Sequence, residues 1–188
     1  IKGCDKIVSK NNLWMLISNR YGREKAKTIM PETFLYNNDD LVLFRQQFKN
    51  DFYILKNNKQ RKTGITITND INKILYSNNR LIQVYKNSFI INKRKFNLRL
   101  YILIICMNRT KKIYLHDYSK CLYTSKDFLD LSNFDENITN SYKTDNDIYI
   151  KNPYTINDLY RYLDRNGYSS AVLKLKIKQT ISLLASVI

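Results

Sequence analysis

Three polar side chains in the stretch Lys95-Phe96-Asn97-Leu98-Arg99 give the first chemical suggestion in this sequence: Lys95, Asn97 and Arg99. From Lys95 to Met107 β-branched and aromatic residues dominate, and an extended backbone places residues two apart on one face. Two cations and an amide then share a face of a strand whose continuation, the apolar run Leu100 to Met107, reads as buried. Unpaired buried charge is expensive, so the arrangement calls for an anion, a phosphate or a carboxylate. A barrel-mouth or edge strand whose basic residues simply reach solvent has the same pattern.

A second basic cluster lies upstream. Phe52-Tyr53-Ile54-Leu55 reads as a buried strand ending in Lys56. It is followed by the polar loop Asn57 to Gly64, with Arg61, Lys62, Thr63 and Gly64, and then by the alternating Ile65-Thr66-Ile67-Thr68. Such a hairpin loop can fold backbone N–H groups and basic side chains over phosphates, although a plain exposed hairpin tip has the same composition. Other chemistries find little support. His116 is the sole histidine, and Cys4, Cys106 and Cys121 are odd in number and far apart, so no metal ligand set, disulfide framework or Cys–His pair can be assembled from them.

The elements that position these residues follow from periodicity. Ser9 to Arg20 is predicted as a helix with Trp14 in the core, Pro31 interrupts helical structure ahead of a short extended piece, and Asp39 and Asp40 open a helix carrying Leu41, Phe44 and Phe48 on one side. Asn69 or Asp70 caps a short helix from Ile71 to Tyr76, and Leu81 to Tyr85 forms the next strand. Asn97 to Met107 and Lys111 to Tyr118 are expected as two long antiparallel strands joined at Asn108-Arg109-Thr110. Leu122 to Asn140 reads as irregular. Thr155-Ile156-Asn157-Asp158 fits a capping box for a helix stopping at Gly167, and a last helix from Ser170 buries Leu173, Ile177, Ile181, Leu184 and Ile188.

The 188 residues are 44% hydrophobic and 13% aromatic, enough for a packed core, and 32 basic against 16 acidic residues give a net charge of +16. That charge suits an acidic partner. Part of it reflects a composition rich in Asn, Lys, Ile and Tyr together. Binding of nucleic acid is not expected, because most of the aromatic residues that could stack on bases sit in strand patterns that predict burial. The longest uncharged apolar run falls far short of the roughly 18 residues a membrane helix needs. With its scattered cysteines, the chain reads as a cytoplasmic protein, and its last residues, inside an apolar helical pattern, read as the end of a fragment.

In order, the chain holds a strand ending in Lys56, the segment Arg61-Lys62-Thr63-Gly64-Ile65, Gln83-Val84-Tyr85, Lys95-Phe96-Asn97-Leu98-Arg99 and Ile138-Thr139-Asn140. This series resembles the tubulin–tyrosine ligase family, whose members are amino-acid ligases of ATP-grasp fold. Pro31-Glu32-Thr33-Phe34 is similar to that family's Pro-x-Thr segment. The resemblance implies an α+β, ATP-grasp-like fold with antiparallel sheets flanked by helices, incomplete at its C-terminal end. It divides the chain into a linker part (1–50), a nucleotide-covering part (51–85) and a main part (86–188) that stops before the metal-ligand strands.

The same resemblance implies roles. Lys56 would reach the nucleotide phosphates, Arg61, Thr63 and Gly64 would belong to the loop covering them, and Gln83 and Tyr85 would border the adenine. Lys95 and Asn97 would bind nucleotide, Thr139 and Asn140 would line it, Arg99 would act catalytically near the γ-phosphate, and Lys120 would contact substrate. ATP and Mg²⁺ are the implied cofactors, the metal ligands being expected beyond Ile188. The implied partners are an amino acid and an acidic protein tail such as the tubulin C-terminus. Two departures stand out: Asn97 where the family has aspartate, and Lys62 where it has glycine. They support an alternative in which the chain is a non-catalytic ATP-grasp relative acting as a binding or scaffold module.

Overall fold

The computed structural model describes residues 9–57, 64–108, 110–131, 134–139 and 147–187. Its contacts divide the chain into two units, Ile1–Asn87 with Ser186–Ile188, and Ser88–Ala185.

The first unit runs α1 (Lys10–Tyr21), α2 (Arg23–Ala26), β1 (Thr33–Leu35), α3 (Asn38–Gln47), β2 (Tyr53–Lys56), β3 (Ile65–Thr68), α4 (Ile71–Leu75) and β4 (Leu81–Val84). Its strands form one antiparallel sheet in the order β1-β4-β2-β3. Alternation gives the sheet two unlike faces. Phe34, Tyr53, Leu55 and Ile82 turn to one side and pack with Phe44 of α3 and Ile74 of α4. Phe44 makes edge contacts with Phe34 and Tyr53 at ring-centroid distances of 5.2 and 5.1 Å. Asn37 caps α3 by accepting from the Asp40 N–H, and Asp70, rather than Asn69, caps α4.

Arg23 fixes the entry to β1. Its guanidinium donates to Glu32 (3.1 Å), Asp40 (3.0 Å) and the Thr33 carbonyl (3.0 Å) while lying over the Phe34 ring at 4.4 Å. Trp14, expected in the core, is buried in α1.

The second unit runs β5 (Ile90–Ile91), β6 (Arg94–Arg99), β7 (Ile102–Met107), β8 (Thr110–Leu115), β9 (Lys120–Tyr123), α5 (Phe134–Asn137), α6 (Ile148–Lys151), α7 (Ile156–Arg165) and α8 (Ser170–Ala185). A sheet of order β5-β6-β9 and a separate β7–β8 ribbon are both antiparallel. The two-residue turn Asn92-Lys93 closes β5 on β6 with positive φ at both positions (45° and 64°), which matches the twist of paired strands. The core of β6–β9 is Cys121 and Tyr123 with Phe96 and Leu98, covered by Leu159 and Leu163 of α7. The expected capping box is present: Thr155 accepts from the Asp158 N–H, and the Asp158 carboxylate accepts from the Thr155 N–H at 2.8 Å. Among the described residues no helix is long and apolar enough to cross a membrane.

Three expectations are corrected. The strand expected from Asn97 to Met107 breaks at Leu100-Tyr101, so that β6 pairs with β9 while β7 pairs only with β8. The apolar run is not core: Leu103 and Met107 are 59% and 64% exposed, and Tyr101, Tyr114 and Tyr118 are exposed as well. The burial premise used against base stacking therefore fails for those three tyrosines. Finally, Leu122 opens no irregular stretch, because Lys120–Tyr123 is a strand. In α8 the buried side chains are Ile177, Ile181 and Ala185, with Leu173 and Leu184 half-buried, and Ile188 lies outside the described residues.

Candidate nucleotide and substrate site

In the first unit, the sheet face opposite the aromatic core presents Thr33, Gln83 and Lys56. Gln83 stands across from Thr33 on one side and Ile54 on the other, so these residues and Lys56 share a face. The Lys56 ammonium donates to Gln83 Oε1. Because an ammonium can only donate, Gln83 must turn its carbonyl toward Lys56 and its amide away. That amide donates to Thr33 Oγ1 at 3.0 Å, and the Thr33 hydroxyl donates to the Pro31 carbonyl at 2.9 Å. The result is a directed chain that holds one cation at the end of β2. Burial, with a smaller push from the charge of Lys10, lowers the Lys56 pKa to about 8.

The loop that follows is pinned at its base. Asn57 N–H donates to the Gly64 carbonyl at 3.0 Å, and Gly64 has φ +77°. A β-carbon at Gly64 would stand 3.0 Å from the Asn57 side chain, so both the crowding and the positive φ favour glycine there. Arg61 and Thr63 lie outside the described residues. Tyr85, just past β4, extends the pairing by donating its N–H to the Phe52 carbonyl at 3.0 Å, and burial raises its phenol pKa.

In the second unit, β6 carries Lys95, Asn97 and Arg99 on the face away from Phe96 and Leu98, as the alternation requires. Three different environments result. Lys95 is 3% exposed; its ammonium donates to Asn137 Oδ1 at 2.6 Å and lies 3.7 Å from the Phe128 ring centroid, and burial lowers its pKa. Asn97 donates its amide to Thr139 Oγ1. Arg99 is exposed. On β6 that face is thus buried at Lys95 alone, not along its length.

β9 completes this face. Cross-strand partners share a side, so Leu122 lies beside Asn97 and Lys120 beside Arg99. Two cations therefore face each other at the open end of the sheet. The Lys120 ammonium also lies 5.4 Å from the Tyr154 ring centroid, and the Tyr154 hydroxyl holds its pKa above the ordinary value. From Lys95 to Arg99 the strand spans about 13 Å at the usual rise per residue, a row on the scale of an extended polyphosphate.

Sequence reasoning missed the residues that hold Lys95 in place. Thr124 N–H donates to the Lys95 carbonyl at 2.9 Å, and Arg94 donates to the Thr124 carbonyl at 2.8 Å and pairs with Asp127 at 3.2 Å, which brings Phe128 over the ammonium. Asn137 both accepts from Lys95 and donates to the Asp130 carbonyl at 2.8 Å. Thr33, part of the Pro-x-Thr segment, adds a role that the segment does not reveal: its hydroxyl orients Gln83. Asn140 lies outside the described residues. Among the described residues no three His, Cys, Asp or Glu side chains are grouped to hold a metal ion, so no step is assigned to magnesium here.

The family model of the tubulin-tyrosine ligase family matches residues 1–181. This chain belongs to that family. The tubulin–tyrosine ligase assignment accounts for the α+β architecture, which is ATP-grasp-like, and gives the chain the ligase character of the family. No curated protein matches the sequence.

Proposed function

We propose that this family member binds ATP, transfers its γ-phosphoryl group to a carboxylate, and joins an amino acid to an acidic protein tail through the acyl phosphate. The carboxylate oxygen attacks the γ-phosphorus and ADP leaves. The amino group then attacks the acyl carbon, and a carbon–nitrogen bond forms as phosphate departs. Little covalent work falls to the protein in such a sequence, so placed cations carry it.

The observation that carries this reading is the row Lys95, Asn97 and Arg99 with Lys120 across from Arg99. Like charges set opposite each other destabilise a sheet, and an anion between them removes the conflict. In this reading Arg99 neutralises the charge that develops on the transferred phosphoryl group, Lys120 meets the substrate carboxylate, and Lys95 meets the nucleotide. The family resemblance gives nucleotide-binding roles to Lys56, Arg61, Thr63, Gly64, Gln83 and Tyr85 in the first unit and to Asn97, Thr139 and Asn140 in the second, and we adopt them in this reading. The +16 charge draws an acidic tail by long-range attraction.

Calorimetric titration with ATP and Mg²⁺, followed by an assay for ATP-dependent incorporation of labelled amino acid into an acidic peptide, tests the proposal. Saturable binding with incorporation supports it, and a folded protein that binds no ATP refutes it. Asn97 favours a second reading, a relative that binds nucleotide without turning it over, because the amide lacks the charge of the family's aspartate. Binding without incorporation is the outcome that selects it.

A further inference from the structure

The far side of β6 holds a cavity that the ligase reading does not use. Phe96 and Leu98 alternate with Lys95, Asn97 and Arg99, so their side chains leave the cationic row and form one wall of a cavity of about 490 Å³ within the second unit. Leu159 and Leu163, one helical turn apart on α7, make the floor. At the mouth Phe89 meets Tyr168 edge to face at 5.1 Å, and Tyr168 stands directly after Gly167, whose φ of +79° turns the chain from α7 into α8.

The remaining side is a stripe on α8. Val172, Leu173 and Lys176 lie at the i, i+1, i+4 positions of one face, with Ser169 just ahead of the helix, so an apolar wall ends in a single ammonium. Among the described residues lining the cavity, Lys176 is the one with a charge. The volume lies in the range of small-ligand sites, and a mostly apolar lining with few polar groups is their usual form. That combination selects an anionic head on an apolar body. A nucleotide would bring several negative charges to a lining with one ammonium, and an organic cation would meet Lys176.

We propose that this cavity is a binding site for a medium-chain monocarboxylate, its hydrocarbon body against Phe96, Leu98, Leu159 and Leu163 and its carboxylate at Lys176. The site is separate from the row of Lys95, Asn97 and Arg99, so its test needs no ligase activity.

The test is titration of the 188-residue chain, below micelle-forming concentrations, with octanoate and decanoate, with the neutral decanol, and with decyltrimethylammonium. Saturable 1:1 binding of decanoate is expected. It should tighten by about fourfold per methylene from octanoate to decanoate, following the burial free energy of a CH₂ group. Lys176→Glu should weaken decanoate by about tenfold, the scale of a lost charge-assisted hydrogen bond, while Lys174→Glu, which makes the same charge change at a residue outside the cavity lining, should not. Val172→Asp, at a half-exposed position on the mouth, should abolish binding with the circular dichroism spectrum unchanged. Equal affinity for all three head groups, equal effects of the two lysine variants, or no saturable decanoate binding would each overturn the proposal.

Discussion

Arg99 at the end of β6 and Lys120 at the start of β9 are direct cross-strand partners, cation against cation. Their like charges oppose the pairing of β6 with β9, and salt screens that repulsion. Arg99→Ala is therefore expected to leave the melting temperature unchanged or slightly raised in low salt, with the gap closing as salt is added. Ligation should nevertheless fall by about 10²- to 10³-fold, the scale of losing one stabilising group at a developing anion. Parallel thermal melts and incorporation assays decide the matter, and a melting temperature lowered in step with activity would make Arg99 a structural residue.

Asn97 lies between those cations and Lys95 and donates to Thr139. Asn97→Asp replaces that donor with an acceptor, to which the Thr139 hydroxyl can donate instead, and the flanking cations hold the new carboxylate ionised. The expected result is a folded protein with faster incorporation than the parent chain. If Asn97→Asp is no faster while ATP binding persists, the amide is not what limits turnover.

The sequence made the sheet faces legible because a period of two survives wherever one face is buried. It put Lys95, Asn97 and Arg99 together and separated them from Phe96 and Leu98. It also showed Thr155 and Asp158 as a reciprocal cap, since that motif is wholly local. It did not show where β6 ends. Leu100 and Tyr101 are as apolar as their neighbours, and the break depends on which partner strand is present, β9 or β8. For the same reason Leu103 and Met107 read as core and are exposed: hydrophobicity reports what a residue favours, not what covers it. The supports of Lys95 were invisible because Phe128 and Asn137 lie far along the chain in a polar segment with no period.

The reciprocal cap gives a prediction in acid. The Thr155 N–H and hydroxyl, aided by Arg161 and opposed by some desolvation, hold the Asp158 pKa below its ordinary 3.8. A depressed carboxylate stabilises the fold above its unfolded pKa, and that contribution is lost as pH falls through the folded value. Asp158→Asn should therefore be less stable than the parent at neutral pH, with the difference closing below about pH 4. Thr155→Ala should cost about 1 kcal/mol, the usual loss for an N-cap. Urea unfolding across this pH range measures both, and a constant gap for Asp158→Asn would show that its charge does not matter to the cap.

Lys56 gives the opposite sign in base. Its pKa is lowered from 10.5 to about 8 because burial disfavours the ammonium. Below about pH 8 the folded and unfolded chains both carry the proton, and the cost of burying it is felt in full. Between about 8 and 10.5 the folded chain sheds the proton before the unfolded chain does, so stability rises with pH across that window. Lys56→Met removes this slope, and comparing urea unfolding of the two proteins from pH 7 to 10.5 reveals it. Nucleotide binding should move the other way. A triphosphate at Lys56 requires the ammonium, so above about pH 8 binding must take up a proton, and ATP affinity falls by up to about tenfold per pH unit. Lys56→Met should bind more weakly and lack that dependence. A parent chain whose stability follows the expected slope, but whose ATP affinity stays flat over the same range, would place Lys56 away from the phosphates and leave its bond to Gln83 as its whole role.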